Sequence, residues 1–278
     1  MDEPIAPAPA SMGQLRSARR LLRRKDRTQA RLFLAEGRPA VLEALRAAPG
    51  AVLDLLVSAE AVDRHQDLLH EAARASVPLA VASERDLSAL ADTVTPQGLV
   101  AICRNVDVGL DEALAGSPRL VVLCAQVRDP GNLGAVIRCA DAFGADAVLV
   151  SSDSVDLYNP KTVRASTGSL FHLPISTGID LATAASSARA AGMRILGADG
   201  AGSATIDDVA RSGELARPTV WVLGNEAWGL PKEHLALIDQ LVALPMYGRA
   251  ESLNLSTAAA VFLYASASAQ RQNPPTRH

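Results

Sequence analysis

The sequence has few cysteines, few aromatic residues and little net charge. Its three cysteines, Cys103, Cys124 and Cys139, lie in apolar runs without CxxC spacing, which argues against a disulfide framework and predicts buried reduced thiols. The five histidines are scattered, so we expect no structural metal. The formal net charge of −3 gives no overall attraction to nucleic acid or to anionic membranes.

Long apolar runs are also missing. No stretch approaches the roughly 18 apolar residues of a membrane-spanning helix, and the N-terminus is polar and rich in Pro and Ala, unlike a signal peptide. We therefore expect a cytoplasmic protein that does not bind membranes. With 49% hydrophobic residues among 278, the chain is long enough for two domains with real cores.

Short apolar segments alternate with helical patterns along most of the chain. This alternation is typical of an α/β protein with a parallel sheet and helices on both faces. We expect a disordered tail at residues 1–12, a small αβ domain at 13–106 and a linker at 107–118. A second domain is expected at 119–270, followed by a short tail at 271–278.

An arginine-rich segment follows the predicted tail. Its arginines recur at the spacing of one helical face, and they are Arg16, Arg19, Arg20, Arg23, Arg24 and Arg27. A solvated helix face is the simplest interpretation of such a run. However, like charges on one stripe repel each other, and the guanidinium fork binds phosphate oxygens in pairs. RNA contact is therefore the alternative interpretation of this stripe.

Two glycine-containing loops near the C-terminus each follow a short predicted strand, at 220–223 and 241–244. Loops at the carboxyl ends of adjacent parallel strands converge on one crevice, so both loops are expected to line a single pocket. Ser252, taken alone, is a candidate N-cap of the last helix. Asn254 would then lie in the first turn of that helix, without a structural need for an amide.

The loop DPGNLGAVIR follows the first strand of the second domain. It lacks the G-x-G-x-x-G spacing of dinucleotide-binding proteins, which disfavours a nicotinamide-dependent dehydrogenase. Arg138 lies one turn into the following helix, between Ile137 and Cys139. Because its neighbours are apolar, we expect a functional contact with an anion, and a structural ion pair is the alternative.

Three segments resemble, in order, the signature motifs of the SpoU/TrmH family of RNA ribose 2′-O-methyltransferases. They are VRDPGNLGAVIRCADAFGAD, VLGNEAWGLP and LPMYGRAESLNLSTAAAV. Residues 14–104, with FLAEGRPAVLEAL and TPQGLVAI, resemble the L30e-like substrate-binding domain of members that act on rRNA. The resemblance implies a SPOUT domain with a deep trefoil knot, a rare exception among folds. It also implies a homodimer whose sites are completed by the partner, and S-adenosylmethionine as the cofactor.

The same resemblance implies roles for individual residues. Catalytic roles fall on Asn132, Arg138, Glu226, Ser252 and Asn254. Cofactor contacts fall on Leu223, Gly224, Asn225, Leu244, Pro245, Met246 and Leu253. Lys161 and Arg164 are further candidates for RNA phosphate, with a solvated face as the alternative.

The implied reaction is 2′-O-methylation of a ribose in rRNA, with large-subunit rRNA as the expected substrate. Because a guanidinium stays protonated at neutral pH, Arg138 is interpreted as a cation that holds the target phosphate. The hydroxyl proton would leave through phosphate, water or Glu226. The same reaction on tRNA and a non-catalytic RNA-binding or ribosome-assembly factor are the alternatives.

Overall fold

The structure is a computed structural model that describes residues 8–91, 93, 95–225, 229–230 and 232–272. The strands are β1 (Ala8–Pro9), β2 (Leu32–Glu36), β3 (Val52–Val57), β4 (Leu79–Val81), β5 (Leu99–Arg104), β6 (Leu120–Cys124), β7 (Ala147–Ser151), β8 (Ile175–Ile179), β9 (Arg194–Ala198), β10 (Ala204–Thr205), β11 (Thr219–Leu223) and β12 (Gln240–Ala243). The helices are α1 (Met12–Arg20), α2 (Arg24–Ala30), α3 (Arg38–Ala47), α4 (Ala59–Arg64), α5 (Gln66–Arg74), α6 (Glu84–Ser88), α7 (Leu110–Ala113), α8 (Pro130–Phe143), α9 (Pro160–Ser166), α10 (Leu181–Ala190), α11 (Ile206–Arg211), α12 (Lys232–Leu235) and α13 (Leu255–Gln272).

These elements form two compact units. The described residues of the first unit lie within 1–106 and 158–172, and those of the second lie within 107–157 and 173–278. The first unit has a mixed sheet of order β1-β4-β3-β5-β2, in which β5 is antiparallel to both β2 and β3. Leu15 and Ala18 of α1, with Leu21 directly after it, pack into a core that includes residues of β2, β3 and β5.

Part of the predicted tail is ordered. Ala8 pairs with Ala80 of β4, and the backbone N–H of Ala10 donates to the carbonyl of Val81 at 2.7 Å. Ser11 then caps α1. The prediction of disorder is therefore wrong for residues 8–12, because composition does not reveal the unpaired edge of β4. Residues 1–7 lie outside the described residues.

The arginine-rich segment forms two helices instead of one. Helix α1 ends at Arg20 and α2 begins at Arg24, while Arg23 between them has an extended backbone. Arg27 is buried, and its Nη1 donates to the carbonyls of Leu21 and Leu22, each at 2.9 Å. The prediction of a single helical stripe is therefore wrong, since Arg27 satisfies the backbone of the turn that interrupts it.

Residues 158–172 belong to the first unit, although the sequence pattern predicts them within the second domain. Phe33 of β2 explains this placement. Its ring centroid lies 4.5 Å from that of Tyr158 and 6.1 Å from that of Phe171. Aromatic contacts between distant segments leave no periodic signal in the sequence.

The second unit has a parallel sheet of order β10-β12-β9-β11-β6-β7-β8. Alternate residues of β11 face opposite layers, as the pleat of a strand requires. Val220 and Val222 join a core with residues of α7 and α10, whereas Trp221 packs on Phe262 of α13 at a ring distance of 4.5 Å. The predicted parallel sheet with helices on both faces is thereby confirmed.

Two details of this unit differ from expectation. Strands β11 and β12 are not adjacent, because β9 lies between them. The predicted linker contains helix α7, whose Ala113 packs into the core with Leu114 after it. The N–H of Val108 in the same segment donates to the carbonyl of Ile175 at 2.9 Å. The trefoil knot stays a prediction.

The cysteines are free thiols. Burial raises the pKa of Cys103 and of Cys124 to about 12, whereas Cys139 on α8 is half-buried. Within the described ranges, no helix is both long enough and apolar enough to cross a membrane.

We predict that Ser266→Ala destabilises the second unit by about 1–3 kcal/mol, since it leaves a buried donor unpaired. The indole N–H of Trp221, which is fully buried, donates to the Ser266 hydroxyl at 2.8 Å. Ser268→Ala on the same helix is the matched control and should change stability by less than about 0.5 kcal/mol. Urea unfolding followed by circular dichroism measures both, and equal stability of the two variants would contradict the prediction.

Candidate functional site

A cavity of about 660 Å³ lies where three parallel strands of the second unit end. Ala198 ends β9, Leu223 ends β11 and Leu244 follows β12, and all three line the cavity. The volume is within the range of pockets that hold small molecules and cofactors. Ligands of open parallel sheets bind at this edge of the sheet.

Most residues predicted to contact a cofactor line this cavity. They are Leu223, Gly224, Asn225, Leu244, Met246 and Leu253, and Ser252 lies beside them. Pro245 is not among the lining residues. Glu226 lies outside the described residues. Both C-terminal loops therefore reach one pocket, while the roles of their residues stay predictions.

Several residues of the cavity are not predicted from the sequence. Asp199 and Gly200 follow β9, Glu251 precedes Ser252, and α13 adds Ala258 and Phe262. The segment MRILGAD predicts a strand, but its sequence does not connect the end of that strand to the other two loops. The position of β9 between β11 and β12 explains why the loop after it lines the same cavity.

The first loop folds back on itself between Asn225 and Gly229. These residues exchange backbone hydrogen bonds of 3.0 and 2.8 Å, and the Asn225 side chain donates to the carbonyl of Gln126 at 3.0 Å. A Cβ atom on Gly224 would lie 2.7 Å from the carbonyl of Gly229. Gly229 itself has a φ of +67°, a value that favours glycine. Both glycines are therefore required by the shape of this loop.

Asn254 connects the second loop to helix α8. Its Oδ1 accepts hydrogen bonds from the N–H groups of Ser256 at 3.0 Å and Thr257 at 3.4 Å, so Asn254 is the N-cap of α13. Its Nδ2 donates to Oδ1 of Asn132 at 2.9 Å. Ser252, the candidate N-cap when taken alone, therefore does not cap this helix, and the Asn254 amide has a structural role that the sequence did not indicate.

Arg138 is exposed on α8, although its neighbours Val136 and Ile137 are buried. Successive helix residues point about 100° apart, so apolar neighbours in sequence do not imply burial. Arg138 does not line the cavity, and it has no ion pair with the described part of the chain. The structural ion pair considered as the alternative is thus not observed there.

The residues predicted to bind RNA fall into different environments. Arg16, Arg23 and Arg24 are exposed and have no ion pair among the described residues, whereas Arg27 is buried. Arg19 pairs with Asp86 at 3.0 Å and Arg20 with Asp26 at 3.6 Å. On α9, Lys161 is exposed, and Arg164 pairs with the buried Glu36 at 3.3 Å.

We predict that Asn254→Ala lowers stability by about 0.5–2 kcal/mol, the usual cost of losing an N-cap side chain. Asn254→Ser should restore most of this loss, because serine also caps helices but is too short to bond Asn132. Asn132→Ala, which removes the hydrogen bond to Asn254, should cost less than Asn254→Ala, because the bonds that cap α13 remain. Chemical unfolding measures all three, and equal stability of the alanine and serine variants at 254 would exclude the capping role.

Comparison with known proteins connects this geometry to a family. The family model described as "SpoU rRNA Methylase family" matches residues 119–264, and the model described as "RNA 2'-O ribose methyltransferase substrate binding" matches residues 34–108. The chain is 33% identical over 246 residues to a Bacillus subtilis (strain 168) protein named 23S rRNA (guanosine(2553)-2'-O)-methyltransferase RlmP. That match covers 88% of this chain and 92% of the relative.

Solved structures agree with this assignment. The SpoU methyltransferase AviRb from Streptomyces viridochromogenes, solved in complex with AdoMet, superposes with a TM-score of 0.79 at 30% identity, over 94% of this chain and 99% of that one. An AdoMet-bound rRNA methyltransferase from Sinorhizobium meliloti superposes with a TM-score of 0.78 at 28% identity, over 96% and 98%. The motif loops that meet at the cavity lie within residues 119–264. The chain therefore belongs to the SpoU rRNA methylase family.

Proposed function

We propose that this chain transfers a methyl group from S-adenosylmethionine to the ribose 2′-hydroxyl of a nucleotide in large-subunit rRNA. The observation that carries the proposal is the meeting of two signature loops at one cavity, with Asn254 of the second bonded to Asn132 of the remaining motif. The choice of large-subunit rRNA is supported by relatives from Bacillus subtilis and Bordetella pertussis, both of which are named 23S rRNA methyltransferases.

The cavity fits the cofactor in size and in chemistry. Its volume of about 660 Å³ is sufficient for a nucleoside with an amino-acid side arm. Apolar walls from Leu244, Leu253 and Phe262 suit an aromatic base, and the carboxylates of Asp199 and Glu251 bring negative charge near a cation. When S-adenosylmethionine is bound, its sulfonium centre supplies an electrophilic methyl group.

The protein's contribution is then chiefly to hold the reacting groups in place. Correct placement alone supplies about 7–11 kcal/mol in well-oriented reactions. The Asn132–Asn254 hydrogen bond keeps the start of α8 beside the start of α13, where Ser252 and Leu253 line the cavity. Arg138 holds the target phosphate as a cation, and the hydroxyl proton leaves through phosphate, water or Glu226.

The active form is a homodimer in this proposal. Arg138 is exposed and does not line the cavity of its own chain, yet it lies on the helix that begins beside that cavity. We infer that Arg138 acts in the site of the partner subunit. A cationic side chain that reaches across an isologous interface gives two identical composite sites.

We expect Gly224→Ala to weaken S-adenosylmethionine binding strongly, because the added Cβ would lie 2.7 Å from the Gly229 carbonyl and displace the first loop. Gly248→Ala is the matched control, since nothing lies within 4 Å of the position that its added Cβ would take. Isothermal titration calorimetry measures both affinities. Unchanged affinity in Gly224→Ala, with the control also unchanged, would show that the cofactor binds elsewhere.

Arg138→Lys keeps the positive charge but loses the planar fork. We expect kcat to fall roughly tenfold, the effect of about 1.4 kcal/mol from one lost charge-assisted hydrogen bond, with RNA affinity retained. Single-turnover methylation with labelled cofactor measures the rate, and a filter-binding titration measures RNA affinity. Wild-type activity in this variant would reject the role of the fork.

Mixed dimers test whether the sites are composite. Arg138→Ala and the cavity-filling Ala258→Phe should each be inactive as homodimers. Co-expression of the two should restore about a quarter of wild-type activity, because random mixing makes half the dimers mixed and each has one intact site. A single chain that carries both substitutions, mixed with wild type, is the control. No recovery from two stable, dimeric variants would place Arg138 in its own chain's site.

The substrate is tested by mapping 2′-O-methyl positions in total RNA from strains with and without the gene. We expect one position in large-subunit rRNA to lose its methyl group, and the Arg138→Ala gene to fail to restore it. A lost position in tRNA would favour the tRNA alternative. No lost position, together with no S-adenosylmethionine binding, would favour a non-catalytic RNA-binding factor.

A further inference from the structure

A second cavity, of about 410 Å³, lies in the first unit between α1, α2 and the edge strand β2. All but one of its lining residues fall between Ser17 and Leu32, before the segment that matches the substrate-binding family model. The turn between the two helices forms one side, and the buried Arg27 holds that turn through the carbonyls of Leu21 and Leu22. The cavity is therefore shaped by a fixed turn.

The floor of this cavity is apolar. Leu21 and Ile102 belong to the core of the first unit, and Leu32 packs against that core from the edge strand. Because β2 is the last strand of the sheet, no further strand covers these side chains on that side among the described residues. An apolar surface of this kind suits the face of a nucleobase, which stacks on apolar and aromatic groups in single-stranded RNA.

The rim of the cavity is polar. Neither Ser17 nor Gln29 makes a side-chain hydrogen bond with the described part of the chain. The Asp26 carboxylate is only 18% exposed, and its ion pair with Arg20 is long, at 3.6 Å. A carboxylate that is largely shielded from water benefits from N–H donors, and among the described residues the only cationic partner of Asp26 is the distant Arg20 guanidinium.

Cationic side chains lie along the segment that forms the rim. Arg16 on α1, Arg24 on α2 and Arg23 between the helices are exposed and have no ion pair among the described residues, and Arg20, which lines the cavity, is itself 67% exposed. Cationic side chains beside a stacking surface are the usual combination in sites for single-stranded nucleic acid. A free anion inside the cavity would be repelled by the Asp26 carboxylate. A bound nucleobase would instead leave its phosphate outside the cavity.

We propose that this cavity holds an unpaired guanine base of the RNA substrate, with Asp26 as the group that selects it. Guanine presents two adjacent N–H donors, N1–H and N2–H, and a carboxylate accepts both. Adenine and cytosine each place an acceptor where the second donor would be, and uracil has a single N–H between two acceptors. Gln29 is the group that contacts another polar edge of the base, and the flanking arginines bind its phosphates.

This inference rests on the proposed function only in taking RNA as the substrate. The test uses single-stranded RNA nonamers that are too short to report on methylation. Each has four adenosines on either side of a central guanosine, inosine, N1-methylguanosine or adenosine. Fluorescence anisotropy of the full-length wild-type protein, at one fixed salt concentration, gives the four affinities.

We expect the guanosine nonamer to bind at least about fivefold more tightly than the adenosine nonamer, as a bidentate contact to a base edge provides. Inosine, which lacks the 2-amino group, should be intermediate, and N1-methylguanosine should bind like adenosine. Equal affinities for the guanosine and adenosine nonamers would overturn the proposal without any variant being made.

Asp26→Asn should reduce the guanosine-to-adenosine ratio to about one, since an amide offers only one acceptor. We compare this ratio and not the individual affinities, because loss of a negative charge raises the affinity for every RNA. Asp63→Asn removes an exposed carboxylate of the same unit and should keep the wild-type ratio. A preserved ratio in a folded Asp26→Asn protein would overturn the assignment.

The two proposals fail separately. Loss of guanine selectivity with methylation of rRNA intact would remove only the guanine site. If the wild-type protein prefers the guanosine nonamer but transfers no methyl group, only the catalytic proposal is contradicted. Thermal unfolding of each variant confirms that it is folded, and Gln29→Ala gives a second variant with an expected partial loss of selectivity.

Discussion

The side chain of Asn254 caps α13 and also joins its start to the start of α8, the two helices on which the site of this protein depends. Its carbonyl oxygen caps α13 through the N–H groups of Ser256 and Thr257, and its amide donates to Asn132 at the start of α8. The amide can do both because its oxygen and nitrogen point in different directions. A residue that the resemblance marks as catalytic is thus also a structural cap, and substitutions there change both properties.

The cavity beside the Asn132–Asn254 hydrogen bond exists because the strands of the second unit all run in the same direction. Seven parallel strands bring their carboxyl ends to one edge, so the loops after β9, β11 and β12 meet although they are far apart in sequence. Glycine is needed at 224 because a Cβ atom there would lie 2.7 Å from the Gly229 carbonyl, too close for any side chain. Asp199 and Glu251 then bring charge to a pocket whose other walls include Leu244, Leu253 and Phe262.

In the arginine-rich segment, one residue changes the structure that the sequence pattern predicts. Six arginines at helical spacing predict one charged stripe, but Arg27 turns inward and bonds two backbone carbonyls. The resulting turn divides the stripe and makes a concave surface next to the edge strand β2. Arg20 lines a cavity with a largely shielded carboxylate, Asp26, which a uniform basic face would not contain.

By itself, the sequence determined the class of fold, the parallel sheet and the family, because strand and helix periodicities and the motif segments are local features. It also indicated which loops would meet, since chain direction in a parallel sheet follows from alternation. Only the tertiary structure decided the place of β9 between β11 and β12, the exposure of Arg138 and the inward turn of Arg27. These depend on strand order and on contacts between distant segments, and neither leaves a periodic trace along the chain.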